Sequence, residues 1–275
     1  MKKVLAMVMA LVLMVGMCSL ANADQLDNIK AAGVLKVGAN VGFPPYEFYW
    51  TNPETGEEEL AGFDMMIAQG LADELGVELQ VMDQAFSGLI TAVRANELDC
   101  AISGISIKPE RLEVVDFSKP YFGGTQIMVI RTADADKYKT VADMAGATIG
   151  AQNGSLQQGI LETQFAESNP LLLDSIALLA TELYQGTIDG WLITDTVAKQ
   201  YIALYKDQLM ISEVPVVYDV SAGSGIAVPK SAPGMENEAL LEVINNYIDK
   251  IKADGTFDAM LEESYAKAAS LLEAE

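Results

Sequence analysis

Short apolar runs alternate along the chain with segments whose apolar residues recur every three to four positions. The first pattern predicts strands and the second predicts amphipathic helices. The predicted strands are Val34–Ala39, Glu78–Met82, Gln126–Arg131, Thr148–Gln152, Gly190–Ile193 and Gly225–Val228. The predicted helices are Asp24–Ala32, Phe63–Leu75, Gly88–Ala95, Val141–Met144, Ser155–Phe165, Ile176–Thr187, Asp195–Leu204, Met235–Asp254 and Phe257–Tyr265. Strands that alternate with helices in this way are typical of an α/β fold.

The first 23 residues have the pattern of an export signal rather than of a folded element. Two lysines precede an apolar stretch from Val4 to Val15, and Ala21-Asn22-Ala23 has the small residues of a cleavage site. The apolar stretch is too short and wrongly flanked for a stable membrane span. We therefore expect a periplasmic or extracellular protein that begins at Asp24.

A cysteine in this segment leaves a second interpretation open. Cys18 could carry a lipid anchor, although Met17 stands where that signal requires a small residue and no Ser/Gly-rich tether follows. Simple export remains the preferred interpretation. Only Cys100 is left in the exported chain, so an internal disulfide is excluded despite export.

The charge balance and the missing histidine exclude several function classes. The chain has 39 acidic and 17 basic residues, for a net charge of −22. Such a surface repels nucleic acid and anionic lipid. The chain contains no histidine, which removes the commonest general base and metal ligand and rules out Ser-His-Asp and Cys-His catalysis. Neither a cofactor nor a metal site is predicted.

The segment from Ala101 to Tyr121 holds the most informative group of polar residues. Ser103, Gly104 and Ser106 follow the end of a short apolar run, and Arg111 lies in a short helix opened by a proline. A guanidinium presents a planar fork of donors that fits a carboxylate. Since ligands of open α/β sheets bind at strand ends, the segment predicts a site for a small anionic group.

Two glycine-rich segments suggest crossings between two lobes. One is Tyr121–Gly124 and the other is Ser221–Gly225. Glycine pairs suit the backbone changes that a hinge absorbs. Two ordinary turns would have the same composition, and the residues alone do not separate the two interpretations.

Seven motifs in this order resemble the amino-acid-binding solute receptors of ABC importers, family 3 of the extracellular solute-binding proteins. They are Gly33–Gly38, Phe43–Glu47, Gly62–Asp64, Glu97–Ala101, Ala101–Tyr121, Gly150–Ser155 and Asp189–Asp195. The resemblance covers nearly the whole exported chain. It implies a two-lobed periplasmic-binding-protein type II fold, in which each lobe is a mixed sheet flanked by helices and the ligand lies in the cleft between them. The expected lobes are residues 24–122 with 224–275, and residues 123–223, joined by hinges near 121–125 and 219–225.

The resemblance also implies roles for individual residues. Arg111 matches the arginine that holds the ligand carboxylate, and Asp195 matches the acid that receives the α-ammonium. The remaining implied contacts are Gly104 and Ser106 to the ends of the zwitterion, Ser155 and Leu156 in a loop whose main chain faces the carboxylate, and Phe43 and Phe86 on either side of the ligand side chain. Ser103, next to Gly104, supplies a second hydroxyl group and is also expected to contact the ligand.

Each of these residues also has an ordinary structural interpretation. Arg111 could pair in solvent with Glu110 or Glu113, and Asp195 could cap the helix that follows it. Phe43 and Phe86 could belong to the core, as most aromatic residues do.

Two amides set the expected ligand specificity. Relatives that take basic amino acids often carry an acid at the position of Asn40, and Gln152 stands at a position that varies with the ligand. The pair suggests a neutral polar side chain such as that of glutamine. Lys108 stands where relatives usually have threonine, and the sequence offers no explanation for it.

The expected function is binding without chemistry. The protein should capture a free L-amino acid by closing its lobes, as a monomer, and deliver it to the transmembrane subunits of an ABC permease. The alternative is an exported enzyme on the same scaffold, similar to cyclohexadienyl or arogenate dehydratases, whose general acid would be a carboxyl group.

Overall fold

Two five-stranded sheets organise the protein. The computed structural model describes residues 24–206, 208–218 and 223–271. Within them the strands are β1 (Val34–Ala39), β2 (Phe48–Thr51), β3 (Glu58–Ala61), β4 (Glu78–Asp83), β5 (Cys100–Ala101), β6 (Val115–Phe117), β7 (Gln126–Arg131), β8 (Thr148–Gln152), β9 (Asn169–Leu173), β10 (Gly190–Thr194), β11 (Leu209–Ile211) and β12 (Ala227–Pro229). The export signal, Cys18 and residues 219–222 of the second crossing lie outside these ranges.

The helices flank the sheets. They are α1 (Gln25–Ala32), α2 (Phe63–Leu75), α3 (Phe86–Arg94), α4 (Pro109–Leu112), α5 (Leu156–Gln164), α6 (Ile176–Gln185), α7 (Asp195–Leu204), α8 (Glu238–Ala253) and α9 (Thr256–Ser270). Several ends follow from local sequence. The Asp24 side chain accepts from the Asp27 N–H at 2.8 Å to cap α1, and left-handed glycines at 33, 76 and 186 end α1, α2 and α6. No helix of the described ranges is long and apolar enough to cross a membrane.

Both sheets are mixed, and the chain visits them in turn. The first has the order β4-β1-β5-β12-β6, with β1 parallel to β4 and β5 and with β12 antiparallel to its neighbours. The second has the order β11-β7-β10-β8-β9. Strand β12 returns to the first sheet after the chain has completed the second, so two crossings join the halves. We call the first sheet with its packed helices lobe I, and the second sheet with α5, α6 and α7 lobe II.

Most predicted elements are present. The ranges of β1, β7, β8, α2 and α7 match the prediction, whereas other elements have shifted ends, as α3 does in beginning at Phe86 rather than at Gly88. The helix predicted near Val141 is a single 3₁₀ turn, Ala142–Met144. The sequence did not predict the short strands β2, β3, β6, β9 and β11, whereas β5 is the short apolar run predicted to end before Ser103. Strand β9 contains Pro170, which a sheet tolerates because β9 is an edge strand.

Candidate ligand-binding cleft

A cavity lies between the lobes where the strand ends of both sheets meet. Its lining is Asn40, Phe43, Tyr46, Glu47, Phe86, Ser103, Gly104, Ser106, Gly123, Gly124, Gln126, Gln152, Leu156, Gln157, Thr194 and Ser224. Eight of these were predicted from the sequence as ligand contacts, namely Asn40, Phe43, Phe86, Ser103, Gly104, Ser106, Gln152 and Leu156. The structure brings these eight together. None of the lining residues is basic, and Glu47 supplies the one carboxyl group among them.

A hydrogen-bonded chain of polar groups forms the lobe I wall. The Ser103 hydroxyl donates to Oε1 of Glu47 and accepts from the Asn40 N–H at 3.1 Å. The Asn40 amide donates to the Gln84 carbonyl at 2.9 Å. Its Oδ1 accepts from Nε2 of Gln152, across the cleft, at 2.8 Å. The two amides that suggested a neutral ligand therefore bond to each other and link the lobes.

Glu47 is the acidic group of this wall. It is 1% exposed, and its Oε2 has no hydrogen-bond partner within the described ranges. Burial, together with the charge of Asp64, raises the pKa of Glu47 well above its usual range, and the Ser103 hydrogen bond lowers it in part. A buried carboxyl with a free oxygen is a costly group unless something else completes its bonding.

Local backbone geometry explains why Glu47 faces the cleft. The N–H groups of Gly42 and Phe43 both donate to the Glu47 carbonyl, at 3.0 and 2.8 Å, which folds residues 42–47 into a tight turn. Gly62, at φ 114°, lets the start of α2 approach this turn, because a Cβ there would overlap the Tyr46 carbonyl. The turn also places the Phe43 ring 4.6 Å from the Tyr46 ring.

Arg111 lies beside the cavity rather than in its lining. It is 7% exposed, and its guanidinium donates to the carbonyls of Ser106, at 2.7 Å, and Gly154, at 2.8 Å. It also lies 5.7 Å from the centre of the Phe86 ring. Burial lowers the pKa of Arg111 to about 10, so it stays charged at neutral pH. Glu110 pairs with Lys108 at 2.8 Å, so the solvated Arg111–Glu110 pair is not formed.

Asp195 and Ser155 also lie outside the lining. The Asp195 carboxylate accepts from the Thr125 N–H at 3.1 Å and pairs with Lys199 at 2.9 Å. Asp195 is the first residue of α7 rather than its cap, which is Thr194. The Ser155 hydroxyl caps α5, since it accepts from the Gln158 N–H at 3.1 Å. Their roles in binding a ligand remain predictions.

A cluster of two amides and a hydroxyl on the lobe II wall was not predicted from the sequence. Nε2 of Gln157 donates to Oε1 of Gln126 at 2.6 Å, and both lie within 3.4 Å of the Thr194 hydroxyl. All three are buried and line the cavity. Glu47 was missed too, although a lone acid in the aromatic run from Tyr46 to Trp50 was a usable signal.

Comparison with known proteins identifies the relatives of this chain. The profile of the bacterial extracellular solute-binding proteins, family 3, matches residues 35–267. ABC transporter arginine-binding protein 1 of Escherichia coli is 31% identical over 233 residues, 85% of this chain and 91% of that protein. The L-cystine-binding protein TcyJ of Escherichia coli is 28% identical over 259 residues, 93% of this chain and 92% of that protein.

A solved structure matches the fold as well. It is an amino acid ABC transporter substrate-binding protein from Streptococcus pneumoniae bound to L-arginine. The TM-score is 0.82 at 29% sequence identity, over 88% of this chain and 98% of that one. The match confirms the two-lobed α/β fold predicted from the sequence.

Proposed function

The chain belongs to family 3 of the bacterial extracellular solute-binding proteins, and we propose that it captures a free L-amino acid with a cationic side chain, arginine fitting best. The general function, without regard to the identity of the ligand, is amino-acid binding for an ABC transporter, outside the cytoplasm. The relatives reported above are binding proteins, which confirms the expectation of a receptor that is not an enzyme.

One observation carries the choice of ligand. Glu47 lines the cavity, and its buried Oε2 has no hydrogen-bond partner within the described ranges, so a cationic group that reached it would complete its bonding. Phe43 and Phe86 line the same cavity, and a guanidinium stacks well on aromatic faces. The names of the Escherichia coli and Streptococcus pneumoniae relatives support arginine. Glutamine, which the amides Asn40 and Gln152 suggested, remains the alternative, and the L-cystine relative shows that the family takes other ligands.

The other end of the ligand would meet the residues named from the sequence. Arg111 would receive the α-carboxylate, with the main chain at Ser155 and Leu156 beside it. Asp195 would hold the α-ammonium, and Gly104 and Ser106 would contact the ammonium and the carboxylate. For Asp195 this requires its carboxylate to turn from Lys199 towards the cleft.

Closure of two lobes would then couple binding to delivery. The proposed lobes are residues 24–122 with 224–275, and residues 123–223, which agree with the strands that each sheet contains. A ligand held by Arg111 from lobe I and by lobe II groups favours the closed form, because only closure gives both sets of contacts. The closed receptor would present the amino acid to the transmembrane subunits of a permease as a monomer.

The test compares arginine with neutral analogues. Titration calorimetry on refolded, ligand-stripped protein should show 1:1 binding of arginine, and binding of citrulline and glutamine at least about thirtyfold weaker. Citrulline has the shape of arginine without its charge. Glu47→Gln should remove most of this preference, whereas Glu97→Gln, at an exposed carboxyl, should not. Tighter binding of glutamine would overturn the cationic ligand, and no binding of any amino acid would overturn the function.

A further inference from the structure

A second buried carboxyl, Asp64, lies behind the wall that holds Glu47. Asp64 has no exposed surface, and its Oδ2 accepts from the Gly104 N–H at 2.7 Å and from the Tyr121 hydroxyl at 2.9 Å. Glu47 bonds to Ser103 and Asp64 bonds to Gly104, so the two carboxyls hold consecutive residues of one turn. Like Oε2 of Glu47, Oδ1 of Asp64 lacks a hydrogen-bond partner in the described part of the chain.

The groups that face this pair are neutral or acidic. They are the hydroxyl of Ser103, the phenols of Tyr46 and Tyr121, and the carboxyl of Asp83 at the end of β4. No basic side chain of the described ranges faces either carboxyl, and Arg111 donates to two carbonyls instead. Two buried carboxylates so placed cannot both ionise cheaply. Burial accordingly raises the pKa of Asp64 to about 7, and the pKa of Glu47 is raised as well.

We propose that the Glu47–Asp64 pair holds a proton in the ligand-free receptor and releases it to solvent when a cationic side chain binds. The inference rests on the proposed function, since it requires a ligand whose side chain is positively charged. Beyond the proposed function, it links ligand binding to the release of a proton. It also gives Asp64 a role in binding although Asp64 does not contact the ligand.

The exchange balances in charge and in atoms. The carboxylic O–H bond of Glu47 breaks, the proton passes to water or buffer, and the carboxylate that remains accepts N–H groups of the ligand cation. A neutral ligand brings no charge to compensate that carboxylate, so the proton stays. Asp64 acts as a positioning residue, because its carboxyl strengthens the hold of Glu47 on the proton. Affinity for a cationic ligand should therefore rise with pH, whereas affinity for a neutral one should not.

The number of protons released is the measurement that tests the linkage. Arginine and citrulline would be titrated into the full exported chain at pH 6.5, in phosphate and in imidazole buffer, which differ in ionisation enthalpy. Arginine should release up to about one proton, and its affinity should rise by up to about tenfold per pH unit between pH 5.5 and 7.5. Citrulline should release none. Its α-groups are those of arginine, so any proton exchange at Arg111 cancels in the comparison.

Two variants separate charge from packing. Asp64→Asn removes the neighbouring charge and should lower the proton release at pH 6.5, because Glu47 then ionises more readily. Asp73→Asn removes an exposed carboxyl of the same helix but keeps both buried carboxyls and their hydrogen bonds, so its proton release should match that of the unaltered protein. If Asp64→Asn does not fold, the comparison of arginine with citrulline decides alone. Equal proton counts for the two ligands would overturn the linkage and leave the proposed function intact, whereas failure to bind arginine would overturn both.

Discussion

The guanidinium of Arg111 donates a 2.8 Å hydrogen bond to the main-chain oxygen of Gly154 and so joins lobe I to lobe II. Its other branch donates to the Ser106 carbonyl within lobe I. Both acceptors are neutral, and within the described ranges the buried charge of Arg111 has no ion-pair partner. A buried cation without an anion is stabilised by any carboxylate that reaches it. The α-carboxylate of an amino acid meets that requirement.

Replacing Arg111 should abolish ligand binding without unfolding the protein. Arg111→Ala removes the buried guanidinium that lies beside the cavity, and the expected loss is about 2–5 kcal/mol of binding free energy. Arg111→Lys should recover little, because an ammonium lacks the planar fork that bonds a carboxylate twice. Calorimetry measures the loss, and Arg94→Ala, at an exposed arginine that ends α3, is the matched control. Unchanged affinity in Arg111→Ala would refute the role given to this residue.

The sequence predicted cleft residues best where polar side chains directly follow the end of a strand. Ser103, Gly104 and Ser106 follow a strand end, so their place in the lining could be predicted without a structure. Glu47 stands out as the acid of an aromatic run, but its position in the cleft wall depends on a tight turn that only the tertiary structure defines. Periodicity reports burial, and it does not distinguish an acid at a turn from one in solvent.

Several short strands were also not predicted, because they too depend on contacts that only the tertiary structure defines. Strand β6 has three residues, which is too few for any alternation to show. It pairs with β12, a segment more than a hundred residues away, and local sequence contains no sign of that pairing. The lobe II cluster of Gln126, Gln157 and Thr194 was missed because its members come from three separate elements.

The Glu47–Asp64 pair should make the ligand-free protein less stable as the pH rises. Both carboxyls have a raised pKa in the folded state, so their stabilising contribution is complete below the unfolded pKa of about 4 and is lost as the pH rises through neutrality. Each would cost up to about 1.4 kcal/mol per pH unit in that window. Relative to the unaltered protein, Glu47→Gln should therefore gain unfolding free energy between pH 5 and pH 8, as measured by urea denaturation.

The control for this stability experiment is a carboxyl group whose pKa is lowered rather than raised in the folded protein. Glu110 is exposed, and its hydrogen bond to Lys108 lowers its pKa. Glu110→Gln should give no gain in relative stability between pH 5 and pH 8. If the two variants showed the same change in unfolding free energy between pH 5 and pH 8, the result would contradict the raised pKa of Glu47.

The first crossing between the two sheets should tolerate a methyl group at one glycine and not at its neighbour. A Cβ on Gly124 would overlap the Thr194 methyl group and lie 3.2 Å from Oδ1 of Asp195, whereas the nearest atom to a Cβ on Gly123 is 3.9 Å away. Gly124→Ala should therefore cost about 1–3 kcal/mol of unfolding free energy, as overpacking does, and should weaken ligand binding. Gly123→Ala should leave both nearly unchanged. Equal melting temperatures for the two variants would argue against close packing at this crossing.

The side chain of Lys108, for which the sequence offered no explanation, extends from lobe I to helix α5 of lobe II and lies beside Gly159. Its Nζ lies 3.7 Å from where a Cβ on Gly159 of α5 would be, and it pairs with Glu110 at 2.8 Å. Gly159→Ala should be tolerated, because that distance is ordinary contact and alanine favours a helix by about 1 kcal/mol. Gly159→Leu should press on Lys108, oppose closure of the lobes and speed ligand release several-fold in stopped-flow fluorescence. Adding Lys108→Thr to Gly159→Leu should restore slow release, and a double variant no slower than Gly159→Leu would show that Lys108 does not limit closure.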